Sequence, residues 1–145
     1  MKPKLLGKTA IVTGANSGMG MATARALLSM GATVIMLCRD EKRGRRAYKE
    51  LLKDGNSRTY LILCDLGDYD SIRSFVAEVK QRFTQIDILV NNAGFISLDR
   101  QYTKEGIERQ FGINHLGHFL LTTLLPTLLK IFNKLGLGLT VQPIK

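Results

Sequence analysis

The sequence predicts an α/β fold, a parallel sheet wound on both faces by helices, and three observations predict it. Short β-branched apolar runs alternate with longer stretches whose apolar residues recur at helical spacing, the pattern of successive βα units. A glycine-rich turn joins the first run to the first helix. The fourth run is almost wholly aliphatic, as a strand covered on both faces should be.

Thr9 to Thr13 reads as the first strand. After the glycine turn, Met19, Ala22, Ala26, Leu27 and Met30 give one apolar stripe of a helix that stops at Gly31. Thr33 to Cys38 is the second strand, and a charged helix follows from about Glu41 to Lys53 and ends at Gly55. Thr59 to Cys64 is the third strand, closed by Asp65. The third helix runs from about Tyr69 to Phe83, with Asp68 as its N-cap and Ile72, Phe75, Val76, Val79 and Phe83 on its buried face. Ile86 to Val90 is the fourth strand, ended by Asn91, Asn92 and Gly94. A last helical region is expected from about Thr103 to Phe132, with Pro126 a point of kinking or restart. Residues 1–130 thus read as one incomplete, doubly wound domain of about four βα units, and residues 131–145 as an atypical tail. If nothing follows that tail, the fourth strand lacks its usual neighbour and leaves an edge prone to pairing with a second copy.

Composition narrows the function classes. Hydrophobic residues make up 45% and charged residues 23% of the 145, with no apolar run long enough to span a membrane, so a soluble, cytoplasmic protein is expected. The net charge of +9 comes from basic residues interleaved with acidic ones, as between Asp40 and Asp54, without interleaved aromatics. That pattern reads as a solvated helix face and argues against a nucleic-acid partner. Cys38 and Cys64 sit apart in strand-like stretches and read as buried, inert thiols.

The segment Thr13-Gly14-Ala15-Asn16-Ser17-Gly18-Met19-Gly20 lies between a strand and a helix. Glycines alone also serve as ordinary turns. Placed here they let the backbone approach a ligand, and the free N–H groups of the helix start favour a pyrophosphate, as in a Rossmann-type dinucleotide fold. The end of the second strand then reads the adenosine ribose. Arg39, nineteen residues after Gly20, fits the 2′-phosphate of NADP, with Arg43 adding positive charge. Asp40 is the competing feature, because a shift of one residue would put a carboxylate at the ribose and favour NAD.

The spacing Gly14-x3-Gly18-x-Gly20, with Asn91-Asn92-Ala93-Gly94 after the fourth strand, resembles the short-chain dehydrogenase/reductase family. Asp65-Leu66 also matches, and the stretch Phe111 to Thr122, with Met36 to Asp40, is most similar to the retinol-dehydrogenase-like branch. The resemblance runs from about Gly7 to Leu129 and implies an NADP-dependent oxidoreductase, NAD being the second choice, acting on a small carbonyl or alcohol. It implies that Gly14, Ser17, Gly18, Met19 and Gly20 hold the pyrophosphate and Arg39 the 2′-phosphate. It also implies Asp65 and Leu66 at the adenine, and Asn91, Ala93 and Gly94 at the nicotinamide-side ribose. Asn114 is implied as the catalytic asparagine, whose backbone carbonyl holds a water of the proton relay.

The family's serine and its Tyr-x-x-x-Lys have no counterpart here. Tyr48, Tyr60, Tyr69 and Tyr102 are followed four places later by Leu52, Cys64, Arg73 and Gly106. The chain is therefore expected to be a truncated member, inactive alone; a non-catalytic nucleotide-binding or regulatory protein is the alternative, and a poorly folding product a third. His115 and His118 lie one helical turn apart without a nearby acidic or thiol ligand, so they read as packing or surface histidines and no metal site is expected.

Overall fold

The computed structural model describes residues 3–125. The expectations for Pro126 and for the tail 131–145 lie outside the described residues. Four strands, β1 (Thr9–Thr13), β2 (Thr33–Cys38), β3 (Thr59–Leu63) and β4 (Ile88–Val90), form one parallel sheet in the order β3-β2-β1-β4. Three helices connect them: α1 (Gly18–Ser29), α2 (Glu41–Lys53) and α3 (Tyr69–Arg82).

Strand alternation sorts the core into two layers. Ala10, Val12, Val34, Met36 and Cys38 face α1 and α2, where they meet Ala24, Leu27, Leu28, Ala47 and Leu51. Ile11, Ile35, Leu37, Ile62 and Leu89 face the other way, onto Ile72, Phe75, Val76 and Val79 of α3 and onto Leu121 and Leu125. Both faces of the sheet are dry, which explains why the strand sequences read as nearly continuous apolar runs. Each fully buried side chain of this size contributes roughly 1.5–3 kcal/mol.

Two helices follow the sequence reading closely. Asp68 caps α3 by accepting the N–H groups of Asp70 and Ser71, and four of the five residues expected on its inner face are buried, Phe83 packing partly against the core. In α2 the N-cap is Asp40, whose Oδ1 accepts the Arg43 N–H at 2.8 Å. The stripe expected for α1 is corrected. Its buried residues are Gly20, Ala24, Leu27 and Leu28, while Ala22 and Ala26 face solvent and Met19 is 77% exposed. Alanine and methionine have little power to mark a face, and the close approach of Gly20 to the strand ends sets the rotation of the helix instead.

The fourth strand starts later than expected: Asp87 stands just before it, its N–H donating to the Thr9 carbonyl at 2.8 Å while its side chain turns to the start of β1. Its carboxylate, 7% exposed, accepts from Lys8 Nζ at 2.8 Å, the Thr9 N–H at 2.9 Å and Gln85 Nε2 at 2.6 Å. The start of β1 and the lead into β4 are thereby clamped together.

Residues 103–125 do not form one long helix, and the expected end at Phe132 lies outside the described residues. Tyr102 bridges Glu108 in antiparallel fashion, the Thr103 N–H donates to the Ile107 carbonyl, and Gly106 turns the chain between them. Helical structure begins only at α4 (Arg109–Phe111), passes through a π segment (Gly112–Gly117) and continues as α5 (His118–Leu124). The expected start at Thr103 falls instead on this turn, which backbone hydrogen bonds between Thr103, Gly106 and Ile107 close. Glu108 provides the real N-cap by accepting the Gln110 and Phe111 N–H groups.

Candidate functional site

Strand order reverses at β1, with β2 on one side and β4 on the other, and a crevice opens beyond the carboxyl ends of the strands at such a point. The first glycine turn follows β1 directly into this crevice. Gly14 and Gly18 both have positive φ, +65° and +52°, and a Cβ added at Gly18 would meet open space. At Gly20 a Cβ would collide with the Gly14 carbonyl and the Asn92 amide, so only glycine lets α1 approach the strand ends.

The N-terminus of α1 differs from those of α2 and α3. Its N-cap Ser17 makes no side-chain capping hydrogen bond, and the first turn contains no acidic residue. Asp40 and Glu41 serve α2, and Asp68 and Asp70 serve α3. The positive end of the α1 dipole is thus left to whatever occupies the crevice.

A cleft of about 430 Å³ lies there, a size suited to a small organic ligand. Of the residues singled out from sequence, Gly14, Ser17, Met19, Gly20, Arg39, Asp65, Leu66, Ala93 and Gly94 line it. Gly18, Asn91 and Asn114 do not. Asn91 turns to α5, its Nδ2 donating to Thr122 Oγ1 at 3.3 Å, and its Oδ1 is buried with no partner among the described residues. Asn114 uses its side chain as a backbone clamp: Oδ1 accepts the Phe95 N–H at 2.7 Å and Nδ2 donates to the Phe95 carbonyl at 2.9 Å.

The cleft also takes in Asn16, Leu37, Arg43, Cys64, Asn92, Phe95, Ile96 and Ile113. Of these, only Arg43 carried a sequence signal for the ligand. Asn92, rather than Asn91, lines the cleft and donates through Nδ2 to the Thr13 carbonyl at 3.0 Å. Alternation along the strand could have separated the two asparagines, but the strand is too short for its phase to be read across its polar end. Ile113 arrives from the π segment, from a distance in sequence that no local pattern reveals.

Arg39 and Arg43 stand at the end of β2 on one wall, and no salt bridge among the described residues engages either guanidinium. Asp40 shares that wall, but its Oδ1 is engaged as the α2 cap. On the floor, Asp65 is shaped by its neighbours: its Oδ1 accepts the Gly67 N–H at 2.8 Å and its N–H donates to Ser71 Oγ at 2.9 Å. Burial pushes the Cys38 and Cys64 thiols up to about 12, in each case opposed by a hydrogen bond, and both cysteines are free. Neither thiol is ionised near neutrality.

Behind the cleft, Thr13 Oγ1 accepts the N–H groups of Asn92 and Ala93, both at 2.8 Å, and lies 2.9 Å from Nε2 of His118. The other ring nitrogen, Nδ1, lies 3.1 Å from the Asn114 carbonyl oxygen. His115 is unlike it: its ring stacks on Phe111. Among the described residues no group of three His, Cys, Asp or Glu side chains is placed to hold a metal ion, and no helix is long and apolar enough to cross a membrane.

A family profile described as short chain dehydrogenase matches residues 8–136. The chain belongs to the short-chain dehydrogenase family. Among curated relatives, retinol dehydrogenase 14 of Mus musculus is 45% identical over 135 residues, covering 86% of this chain and 40% of the relative. The chain thus spans about 40% of the length of the curated relatives it matches. A metagenomic short-chain oxidoreductase solved in complex with NADP superposes with a TM-score of 0.75 at 31% identity, covering 86% of this chain and 57% of that one. An actinorhodin polyketide ketoreductase solved with NADPH gives 0.74 at 30% identity, covering 88% and 49%. Fold and family membership therefore agree with a nicotinamide dinucleotide as the cofactor class.

Proposed function

We propose that the cleft is the NADP site of an oxidoreductase that interconverts a small alcohol and its carbonyl compound. The observation that carries the NADP reading is the pair Arg39 and Arg43 on the wall at the end of β2, with the neighbouring Asp40 carboxylate turned to capping α2. A guanidinium recognises a phosphate through parallel charge-assisted hydrogen bonds, whereas a carboxylate at this place would repel it. The uncapped α1 N-terminus, with Gly14, Ser17, Gly18, Met19 and Gly20, receives the pyrophosphate, and Asp65 and Leu66 border the adenine. Asn91, Ala93 and Gly94 support the nicotinamide-side ribose; Asn91 does so from behind, through its contact with α5.

When bound, the cofactor supplies the hydride acceptor or donor. The residues of this chain bind and orient it. Asn114 is the family's asparagine, and its backbone carbonyl is the group that would hold a relay water. The proton-exchanging Tyr-x-x-x-Lys is not among the 145 residues, so these residues by themselves are expected to bind the cofactor without turning over. Relatives named retinol dehydrogenases support an alcohol or aldehyde as substrate.

Calorimetric titration of the chain with NADPH and with NADH tests this reading. NADPH should bind more tightly, and Arg39→Asp should weaken it by roughly tenfold to a hundredfold, the range of about 1.5–3 kcal/mol for hydrogen bonds to a charged group. NADH affinity should fall little or rise. No NADPH binding, or an unchanged ratio in the variant, would refute it.

A further inference from the structure

His118 is one of few polar residues in the core, 5% exposed, and the cofactor reading gives it no role. Its two contacts fix its chemical state. A carbonyl oxygen can only accept, so the 3.1 Å contact with the Asn114 carbonyl requires a proton on Nδ1. At the other side, Thr13 Oγ1 already accepts from the Asn92 and Ala93 N–H groups, which use both of its lone pairs. Its own proton is what it has left to offer. The Val90 carbonyl is 3.4 Å away and Nε2 only 2.9 Å, so the hydroxyl donates to a bare Nε2. Both ends of the ring demand the same neutral tautomer, and burial acts in the same direction by lowering the affinity of the imidazole for a second proton. The His118 backbone N–H goes to the His115 carbonyl, so at the Asn114 carbonyl it is the imidazole that supplies His118's hydrogen bond.

These bonds close a circuit. It runs from the Ala93 N–H to Thr13 Oγ1, through His118 to the Asn114 carbonyl, and from the Asn114 amide back to both backbone groups of Phe95. The turn 92–95 that lines the cleft is held at both ends by it.

We infer that His118 is a positioning residue of this site: as a fixed Nδ1–H imidazole it joins the end of β1 to the Asn114 carbonyl, so that the turn 92–95 and the π segment move as one body. The carbonyl is thereby held in one direction by the imidazole. The structural part stands on the hydrogen bonds alone, while the link to a ligand rests on the cofactor reading above.

The test is long-range nitrogen–proton NMR of the chain labelled at histidine, with His115→Gln assigning the two rings. The expected result is a His118 ring with Nδ1 protonated and Nε2 bare, unchanged from about pH 8 to about pH 6. Added NADPH should shift the His118 ring signals. A protonated Nε2, or titration of His118 in that interval with the fold intact, overturns the tautomer and the proposal with it. Binding of NADPH that leaves the His118 signals unmoved overturns the coupling. Failure of NADPH to bind at all, with the tautomer as expected, counts against the cofactor reading and leaves the hydrogen-bonded circuit standing. As a second measure, His118→Phe, which removes both ring hydrogen bonds, should bind NADPH about threefold to tenfold more weakly, because their loss reaches the cleft only through the turn, and His118→Asn, which keeps a donor at the Nδ1 position, should recover part of this. Should His118→Phe fail to fold, the spectra of the unsubstituted chain decide.

Discussion

Gly20 shows how much a single position carries. Its missing side chain lets α1 press against the Gly14 carbonyl and the Asn92 amide, and both of these belong to the cleft. Gly20→Ala should cost about 1–3 kcal/mol of stability, as overpacking typically does, and should abolish NADPH binding in the same calorimetric titration. The backbone oxygen in its way cannot swing aside as a flexible side chain would. Cys38 and Cys64 make the opposite point, since one lies beside the cleft and the other lines it, yet burial holds both thiols protonated. Both should resist alkylation at about pH 8 in the folded protein and react once denaturant is added, because only the thiolate attacks. Rapid labelling of either cysteine without unfolding would contradict the packing described here. The places of Gly14, Gly20 and Arg39 on the cleft were legible from sequence because each sits at a fixed offset from a strand end. Asn92 was not, because two adjacent asparagines differ only in which face of the strand end they take.

Among the elements, the strands and the first three helices emerged from periodicity within a residue or two at most ends. The exceptions have local causes. The Asp87 carboxylate draws three hydrogen bonds at the point where β4 would otherwise begin, and burial, which pushes the carboxyl up, is outweighed by Lys8, Thr9 and Gln85 so that it lies below its ordinary value. Asp87→Ala would leave the Thr9 N–H and the Lys8 ammonium without their partner, and should destabilise the chain by about 1–3 kcal/mol in urea denaturation. An effect within a few tenths of a kcal/mol would mean that the clamp is dispensable. Asp40→Ala should remove the α2 cap for about 1 kcal/mol while leaving the preference for NADPH over NADH in place. Loss of that preference would mean that Asp40 reads the ribose after all. In the stretch from Tyr102 to Leu125 sequence periodicity misled, because a turn closed by Thr103 and Ile107 and a π segment both interrupt the α-helical repeat.

For the molecule as a whole, the coupling between its halves shows in the pH dependence of stability. Burial lowers the His118 proton affinity in the folded state from an ordinary value of 6.5, so the unfolded chain binds the proton first as the pH falls. Where the unfolded state holds more protons, stability rises with pH. The contribution of His118 is therefore complete above about 6.5 and is lost progressively as the pH drops toward its lower folded-state value. Urea denaturation at about pH 7.5 and about pH 5.5 should show this loss, and His118→Phe should flatten the difference between the two. An identical pH dependence in the variant would show that the ring does not link proton binding to folding. The circuit through His118 spans β1, the turn after β4 and the π segment, so the expected change belongs to no single element.

The sequence by itself determined the strands, their parallel winding, the glycine turn and the basic residues at the end of β2, since each depends on local pattern and on offsets within one βα unit. Tertiary structure decided which asparagine lines the cleft, that Asn114 clamps Phe95, and that His118 bridges Thr13 to the Asn114 carbonyl. Those contacts join residues as far apart as Thr13 and His118, 105 positions along the chain. Periodicity reports only which face of an element is buried; what it is buried against follows from the folding of the whole sheet.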